Sequence, residues 1–250
     1  MKMQKILAVA FILFLIYLAM PFAYLFMPAK IRDYVYREVC YHTIADNIGS
    51  RSKEFGDLLK NTTEFIYKNI DSHYIPATID DTSWNCMVRG YGFCDQQAWA
   101  LATLLSKKGI PARMAMLKGN KAVSGHTVSE VFIDDDWRVV DPHVNTVYYN
   151  EDGEFATLKD IQTGRVDLSP VLKEGFSLDT YRGYFEDKFE PERWAPLTEK
   201  QGVIRKMIFS PVYLWYKILG RKFSCFYQDM YLAVVRPETA SRQKELLGNK

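Results

Sequence analysis

Residues 6–27 contain no charged side chain across 22 consecutive positions, and no other feature limits the chain as severely. At about 1.5 Å of rise per residue a helix of that length reaches roughly 33 Å, enough to cross a hydrocarbon layer of about 30 Å. A cleaved signal peptide is the rival reading, but its apolar region is ordinarily about 7–15 residues long and ends at a small-x-small site. Here the run is longer, and neither Ala19 nor Ala23 has a small partner two positions away on the proper side. Pro21 sits late in the run, where a kink is tolerated. The expectation is an uncleaved single-pass anchor over residues 1–27, with the lipid bilayer as a partner. Lys2 and Lys5 precede the span and Lys30, Arg32 and Arg37 follow it, so the positive-inside count is nearly tied. A short amino tail ahead of a long domain favours an extracytoplasmic domain, because long domains translocate largely regardless of charge.

The chain as a whole has 250 residues, 48% hydrophobic and 25% charged, with a formal net charge of +2. Such a composition excludes disordered, collagen-like and coiled-coil chains. The near balance of charge gives no electrostatic basis for a nucleic-acid partner. Four cysteines are too few for a disulfide scaffold, and no C-x-x-C pair suggests a zinc knuckle. The sequence holds no phosphate-cradling glycine loop, zinc-hydrolase helix or dinucleotide fingerprint, so no cofactor is expected.

Beyond the anchor the sequence divides into three stretches. Residues 28–80 read as a helical accessory segment. Phe55, Leu58, Leu59, Thr62, Phe65, Ile66 and Asn69 keep helical spacing with the apolar members on one stripe, and Pro76 with Asp80-Asp81 marks a break. In residues 81–160 the pattern sharpens. Cys94, Ala98, Leu101, Ala102 and Leu105 fall on one helix face, Lys107-Lys108-Gly109 supplies a cationic last turn and a terminal glycine, and Pro111 follows as a stop. Strands are expected over 112–118, 126–133 and 137–141. Asp134-Asp135-Asp136 lacks the spaced oxygen ligands of a calcium loop and reads as an exposed hairpin turn. Residues 161–250 form a carboxy-terminal extension without catalytic signature. Within it, Ile208, Val212, Trp215 and Leu219 define a helix face suited to a membrane interface, with Tyr213 and Tyr216 near headgroups; an ordinary core helix is the favoured reading.

Acyl transfer by sulfur needs a thiolate, a base within hydrogen-bond reach and a third group that fixes the base's tautomer. Cys94 follows the turn-prone Gly90-Tyr91-Gly92-Phe93 and opens the helix. There the unpaired N–H groups and the macrodipole favour a thiolate and can face an oxyanion. His126 can serve as the base and Asp141 as the orienting carboxylate. Strand parity turns this into geometry. A hairpin loop counted from Ile133 to Asp136 puts Asp141 opposite Val128, on the face of His126, whereas a loop one residue shorter turns the carboxylate away unless a bulge corrects it. Taken singly, the three residues are bland. A helical cysteine is ordinarily a small hydrophobe, a histidine at a strand start is polar surface, and Asp-Pro starts a turn.

Taken in order they are not. Gly92-Phe93-Cys94, Ala98, Leu104-Leu105, Gly109-Ile110-Pro111-Ala112-Arg113, His126-Thr127-Val128-Ser129-Glu130-Val131 and Trp137-Arg138-Val139-Val140-Asp141-Pro142 together resemble the transglutaminase core. That pattern is a G-x-C helix start, a helix ending in G-I-P-A-R, an H-x-W-x-E-V strand and a W-x-x-x-D strand. The resemblance covers roughly residues 84–143. It implies an α+β, papain-like fold in which a cysteine-bearing helix packs on an antiparallel sheet. It also implies Cys94 as nucleophile, His126 as general base and acid, and Asp141 as the group orienting the imidazole.

Two positions depart from the pattern or leave it open. Val128 stands where many members carry tryptophan, and the oxyanion donor differs between branches. Trp84, whose indole N–H can donate, is the oxyanion candidate, with Asn85 as another. His143 is near enough to line the cleft, though a surface position is expected. Cys40, Cys86 and Cys225 read as structural, and in an exported domain Cys40 has Cys86 or Cys225 as a disulfide partner.

The functional expectation is a membrane-anchored thiol enzyme acting on amide or peptide bonds of a protein or peptide substrate through a thioester. Hydrolysis stands slightly ahead of amine transfer. Cys94→Ser or His126→Ala is expected to abolish turnover with little change in the thermal transition. The alternative is a non-catalytic binding or scaffold module of a membrane assembly built on the same fold.

Overall fold

The computed structural model describes residues 2–72, 83–118, 125–186, 190–195 and 203–235. In chain order the elements are α1 (Lys2–Ala23), α2 (Ala29–Gly49), α3 (Phe55–Asn69), β1 (Asp71–Ser72), α4 (Ser83–Arg89), β2 (Tyr91–Gly92), α5 (Cys94–Lys107), β3 (Ala112–Leu117) and β4 (His126–Ile133). Then come β5 (Asp136–Asp141), β6 (Thr146–Val147), α6 (Leu158–Gln162), α7 (Leu178–Gly183), β7 (Glu192–Trp194), α8 (Val203–Leu219) and α9 (Arg221–Val235). The chain divides into two compact units, residues 1–43 with 200–250, and residues 44–199. The break expected at Pro76 and Asp80-Asp81 lies outside the described residues.

The first unit is helical. Its segment Met3–Phe26, with a mean hydropathy of 2.6, is long and apolar enough to cross a membrane. Residues 3–16 of that segment are exposed, whereas Pro21, Tyr24 and Leu25 are buried. The burial comes in part from α8. Tyr24 donates to the Ile208 carbonyl at 2.5 Å, and the Trp215 indole N–H donates to the Leu18 carbonyl at 2.8 Å. Of the α8 face that the sequence offers to a membrane interface, Ile208 and Trp215 are half-buried. Val212 is fully buried and Tyr216 is buried beside it, while Tyr213, Lys217, Ile218 and Leu219 are exposed among the described side chains of α8.

The second unit is built on a five-stranded sheet of order β6-β5-β4-β3-β7, antiparallel throughout. The first six residues of β4 are buried without alternation, as a strand covered on both faces must be. On one face lies α5, fastened where Ser129 Oγ donates to the Ala98 carbonyl at 3.1 Å. This helix is buried on nearly every side. Ala98, Ala100, Leu101, Ala102, Leu104 and Leu105 are all buried, as are the polar Gln96, Gln97 and Thr103, because α3 and α4 pack on it in addition to the sheet. On the opposite face Ala115, Leu117, Val128 and Val139 meet Val144, Tyr148, Leu158, Ile161, Tyr181 and Phe185 in a second core. The β4–β5 turn is Asp134-Asp135, with φ of 49° and 59°. Those left-handed positions are what a two-residue hairpin turn demands and what aspartate tolerates. Ile133 pairs with Asp136, so the closing pair belongs to the ladder and the register is the one that keeps His126 and Asp141 on one face.

Two glycines carry the approach to the site. Gly109, at φ +78°, ends α5 in the left-handed region. Gly92 is packed so closely that a Cβ there would meet Ile70 Cγ2 at 3.0 Å and Gln96 Cβ at 3.2 Å. Strand β2, which contains Gly92, pairs in parallel with β1 and so fixes the entry to α5 against the end of α3.

Candidate active site

Cys94 is the first residue of α5 and is 7% exposed. Phe93 before it is extended, at φ −110° and ψ 179°, and its N–H donates to Gln96 Oε1 at 2.7 Å. Phenylalanine has no side-chain acceptor to return, so this is one half of a capping box. The first intrahelical bond is from Gln97 N–H to the Phe93 carbonyl at 3.0 Å. The amides that open a helix have no intrahelical acceptor, and Cys94 is the residue at that opening.

His126 is the first residue of β4 and Asp141 the last of β5. The pairing of Ser129 with Val140 continues to Val128 opposite Asp141, which sets the carboxylate diagonally across from His126 on one sheet face. The two buried side chains meet at 2.5 Å, His126 Nε2 to Asp141 Oδ2. His126 also hydrogen-bonds Cys94. With Nε2 committed to Asp141, that second bond falls to Nδ1. The structure thus brings the three predicted side chains together at the end of the sheet, where α5 begins. Burial opposes a charged imidazole, but the Asp141 carboxylate and Cys94 outweigh it and push His126 up to about 10. Burial likewise works against the Asp141 carboxylate, yet His126 and the Tyr181 hydroxyl hold it below the usual range. Imidazolium and carboxylate therefore coexist across neutral pH.

Several contributors to the site carry no sequence signal. Tyr181 on α7 donates to the same Asp141 oxygen as His126, and Tyr148 is bonded to the Tyr181 hydroxyl. Since the one Tyr181 proton goes to the carboxylate, Tyr148 must donate to Tyr181. Burial raises both phenols well above their ordinary range and keeps those protons in place. The other Asp141 oxygen, Oδ1, accepts the His143 backbone N–H at 2.9 Å. Tyr181→Phe removes one of three donors and strands the Tyr148 hydroxyl, a loss of about 1–3 kcal/mol in stability. The carboxylate, short of one donor, should then hold the imidazolium more tightly. The alkaline limb of the pH–rate profile moves to higher pH, and kcat/KM falls about 10-fold for ~1.4 kcal/mol because the imidazolium gives up its proton less readily. An unshifted limb at wild-type rate would make Tyr181 packing alone.

His143 is not at the surface, as the sequence suggested, but half-buried against the site. Its ring lies 5.5 Å from that of His126 and 5.7 Å from that of Phe176. The cause is Gln97, one helical turn into α5. Its Nε2 donates to the Ile70 carbonyl at 2.7 Å, so its Oε1 accepts from His143 Nδ1–H at 2.8 Å. Burial lowers His143 below the ordinary imidazole range and keeps the ring neutral, with Nε2 as an acceptor. Tyr184 packs 5.3 Å from the His126 ring on another side. Gly125 makes room for it, since a Cβ there would meet Tyr184 Cε1 at 2.9 Å.

Trp84 is buried in α4, a helix packed on α5, and Asn85 beside it is half-buried. None of the four cysteines is in a disulfide. This corrects the conditional pairing of Cys40 with Cys86 or Cys225. Cys40 is fully buried, where burial holds its thiol protonated and Tyr36 is its hydrogen-bond partner. Cys86 lies 3.1 Å from Arg89 Nη2. A cleft of about 470 Å³ adjoins the site at Gln97 and His143 and is walled by Tyr67, Asp71, Glu174 and Phe176.

The geometry has a family. Residues 42–142 match the model of the Transglutaminase-like superfamily, and Cys94, His126 and Asp141 all fall within the match. That stretch belongs to the superfamily, and its fold is the α+β arrangement of helix on antiparallel sheet. No curated protein matches the chain. Among solved structures, the chain is similar to a candidate cysteine protease from Cytophaga hutchinsonii, at 17% identity and a TM-score of 0.36, over 47% of this chain and 43% of that one. It is also similar to a candidate protease from Parabacteroides distasonis, at 17% identity and a TM-score of 0.35, over 50% of this chain and 26% of that one. The chain spans less than half the length of either.

Proposed function

We propose that this protein is a membrane-anchored thiol enzyme that cleaves amide or peptide bonds of a protein or peptide, with α1 as its anchor and residues 44–199 on the extracytoplasmic side. The observation that carries the reading is the buried His126–Asp141 pair at 2.5 Å with its remaining nitrogen bonded to Cys94. The Cys94 sulfur attacks the carbonyl carbon, a C–S bond forms, and the oxyanion lies toward the amides that open α5. Trp84 and Asn85 are the side-chain donors proposed to assist. The His126 imidazolium gives its Nδ1 proton to the departing nitrogen, the C–N bond breaks, and a thioester remains. Water then adds to the thioester, His126 takes the proton from it, and the C–S bond breaks.

Hydrolysis is favoured over amine transfer because the approach to the site is open to solvent. Phe93, whose ring lies 6.1 Å from His143, is 44% exposed, and transfer requires water to be kept out. The test is intact-mass analysis of protein quenched during turnover of an activated acyl amide. The acyl mass is expected on the peptide containing Cys94, decaying to acid even with methylamine present. Acyl methylamide as the main product would reverse the preference for hydrolysis. An unmodified Cys94 under turnover would remove the thioester mechanism.

A further inference from the structure

We infer that α8 and the start of α9 form a second lipid contact, seated in the boundary of the same leaflet from which α1 emerges; the inference rests on the reading of α1 as a membrane span. Length decides it. The bare part of α1, residues 3–16, has 14 positions and covers only about 21 Å, against the ~30 Å of a hydrocarbon layer. Roughly six further residues must lie in lipid, and among them Tyr17, Leu18 and Phe22 meet α8. Tyr17 bonds Ser210 at 3.0 Å, Trp215 bonds the Leu18 carbonyl at 2.8 Å, and Phe22 packs edge-on to Trp215 and Phe226 at 6.4 and 6.2 Å. A helix held at that level of α1 shares its depth.

Two features fit a water-poor setting. The Tyr17, Tyr24 and Trp215 donors at this contact are all satisfied within the unit, as polar atoms in lipid must be. The outward side chains are those of an interfacial helix. Ile218 is 63% exposed, Leu219 45% and Phe226 53%, and Lys217 sits 5.1 Å over the Tyr213 ring, with Lys222 exposed nearby. Apolar groups enter the acyl boundary while the ammonium groups reach headgroup phosphates.

The experiment uses the full chain in vesicles of phosphatidylcholine and phosphatidylglycerol. A nitroxide is attached at Ile218→Cys, Leu13→Cys or Asp135→Cys, each in a Cys94→Ser, Cys225→Ser background; Cys40 and Cys86 are fully buried and take no label. Power saturation then compares collisions with oxygen, which concentrates in lipid, and with a water-soluble nickel chelate. Position 218 is expected to share the lipid signature of position 13, with oxygen the stronger relaxant, while position 135 shows the reverse. A lipid signature at 13 with an aqueous one at 218 overturns the second contact and leaves the anchor standing. An aqueous signature at both overturns the two together.

Discussion

Cys94→Ala should abolish turnover, a loss of about 10⁵–10⁶-fold in kcat, while the thermal transition stays within a degree or two. The sulfur is small and sits at a helix end, so its removal leaves only a slight void. His126→Ala removes the proposed general acid and base and should cost about 10²–10⁴-fold or more in kcat/KM. Its effect on stability is the opposite of what the sequence suggests. His126 is the ionic partner of a fully buried carboxylate, and removing one partner of a buried pair costs about 3–5 kcal/mol. The alanine variant should therefore melt well below wild type, whereas the cysteine variant should not. Steady-state kinetics with calorimetry on both variants checks the contrast. An active Cys94→Ala variant would end the enzyme reading, and an unmoved transition in His126→Ala would end the ion pair.

Asp141→Asn is the second large effect, and hydrogen-bond accounting predicts it. Asp141 accepts from His126 Nε2 and Tyr181 at Oδ2 and from the His143 backbone at Oδ1. An asparagine amide has one oxygen and one NH2 group, so whichever way it is turned a donor faces a donor. Loss of the charge also removes what holds the imidazole protonated and oriented, and kcat should fall about 10⁴-fold. Stability against pH supplies an independent readout. His126 is pushed up to about 10 in the folded chain, from about 6.5 unfolded, so the stability it contributes is complete below about 6.5 and lost as pH rises through 10. Asp141 is held low, so its contribution is present above the unfolded value of about 3.9 and lost as pH falls. Wild type should lose melting temperature between about pH 7 and 10, and Asp141→Asn should be less stable at pH 7 and flatter over that interval.

How far the sequence reaches depends on how local the cause is. Helix α5 was legible to within a residue or two because Gly92, the apolar face and Gly109 are local signals. The β4–β5 register was legible as a condition, because side-chain parity admits only two outcomes and the Asp134-Asp135 turn selects one. Tyr181, Tyr148 and Gln97 were not. A tyrosine's role as donor to a buried carboxylate depends on α7 packing over the second core, and nothing periodic records that a residue 40 positions from Asp141 will touch it. His143 was misread for the same reason, since its burial is set by Gln97 from another element. The α8 face was legible only as an alternative between core helix and membrane interface. Hydropathy marks Val212 and Trp215 as apolar without saying whether lipid or α1 receives them.

The proposed chemistry depends on a buried carboxylate holding the His126 imidazole against the Cys94 sulfur. The most direct measurement is the rate of Cys94 alkylation by iodoacetamide as a function of pH, read by intact mass in a Cys225→Ser chain. A sulfur activated by His126 predicts fast alkylation well below pH 8.5, strongly reduced at neutral pH in His126→Ala. A rate that climbs about tenfold per unit toward pH 8.5, unchanged by His126→Ala, is the behaviour of an ordinary thiol and would contradict it.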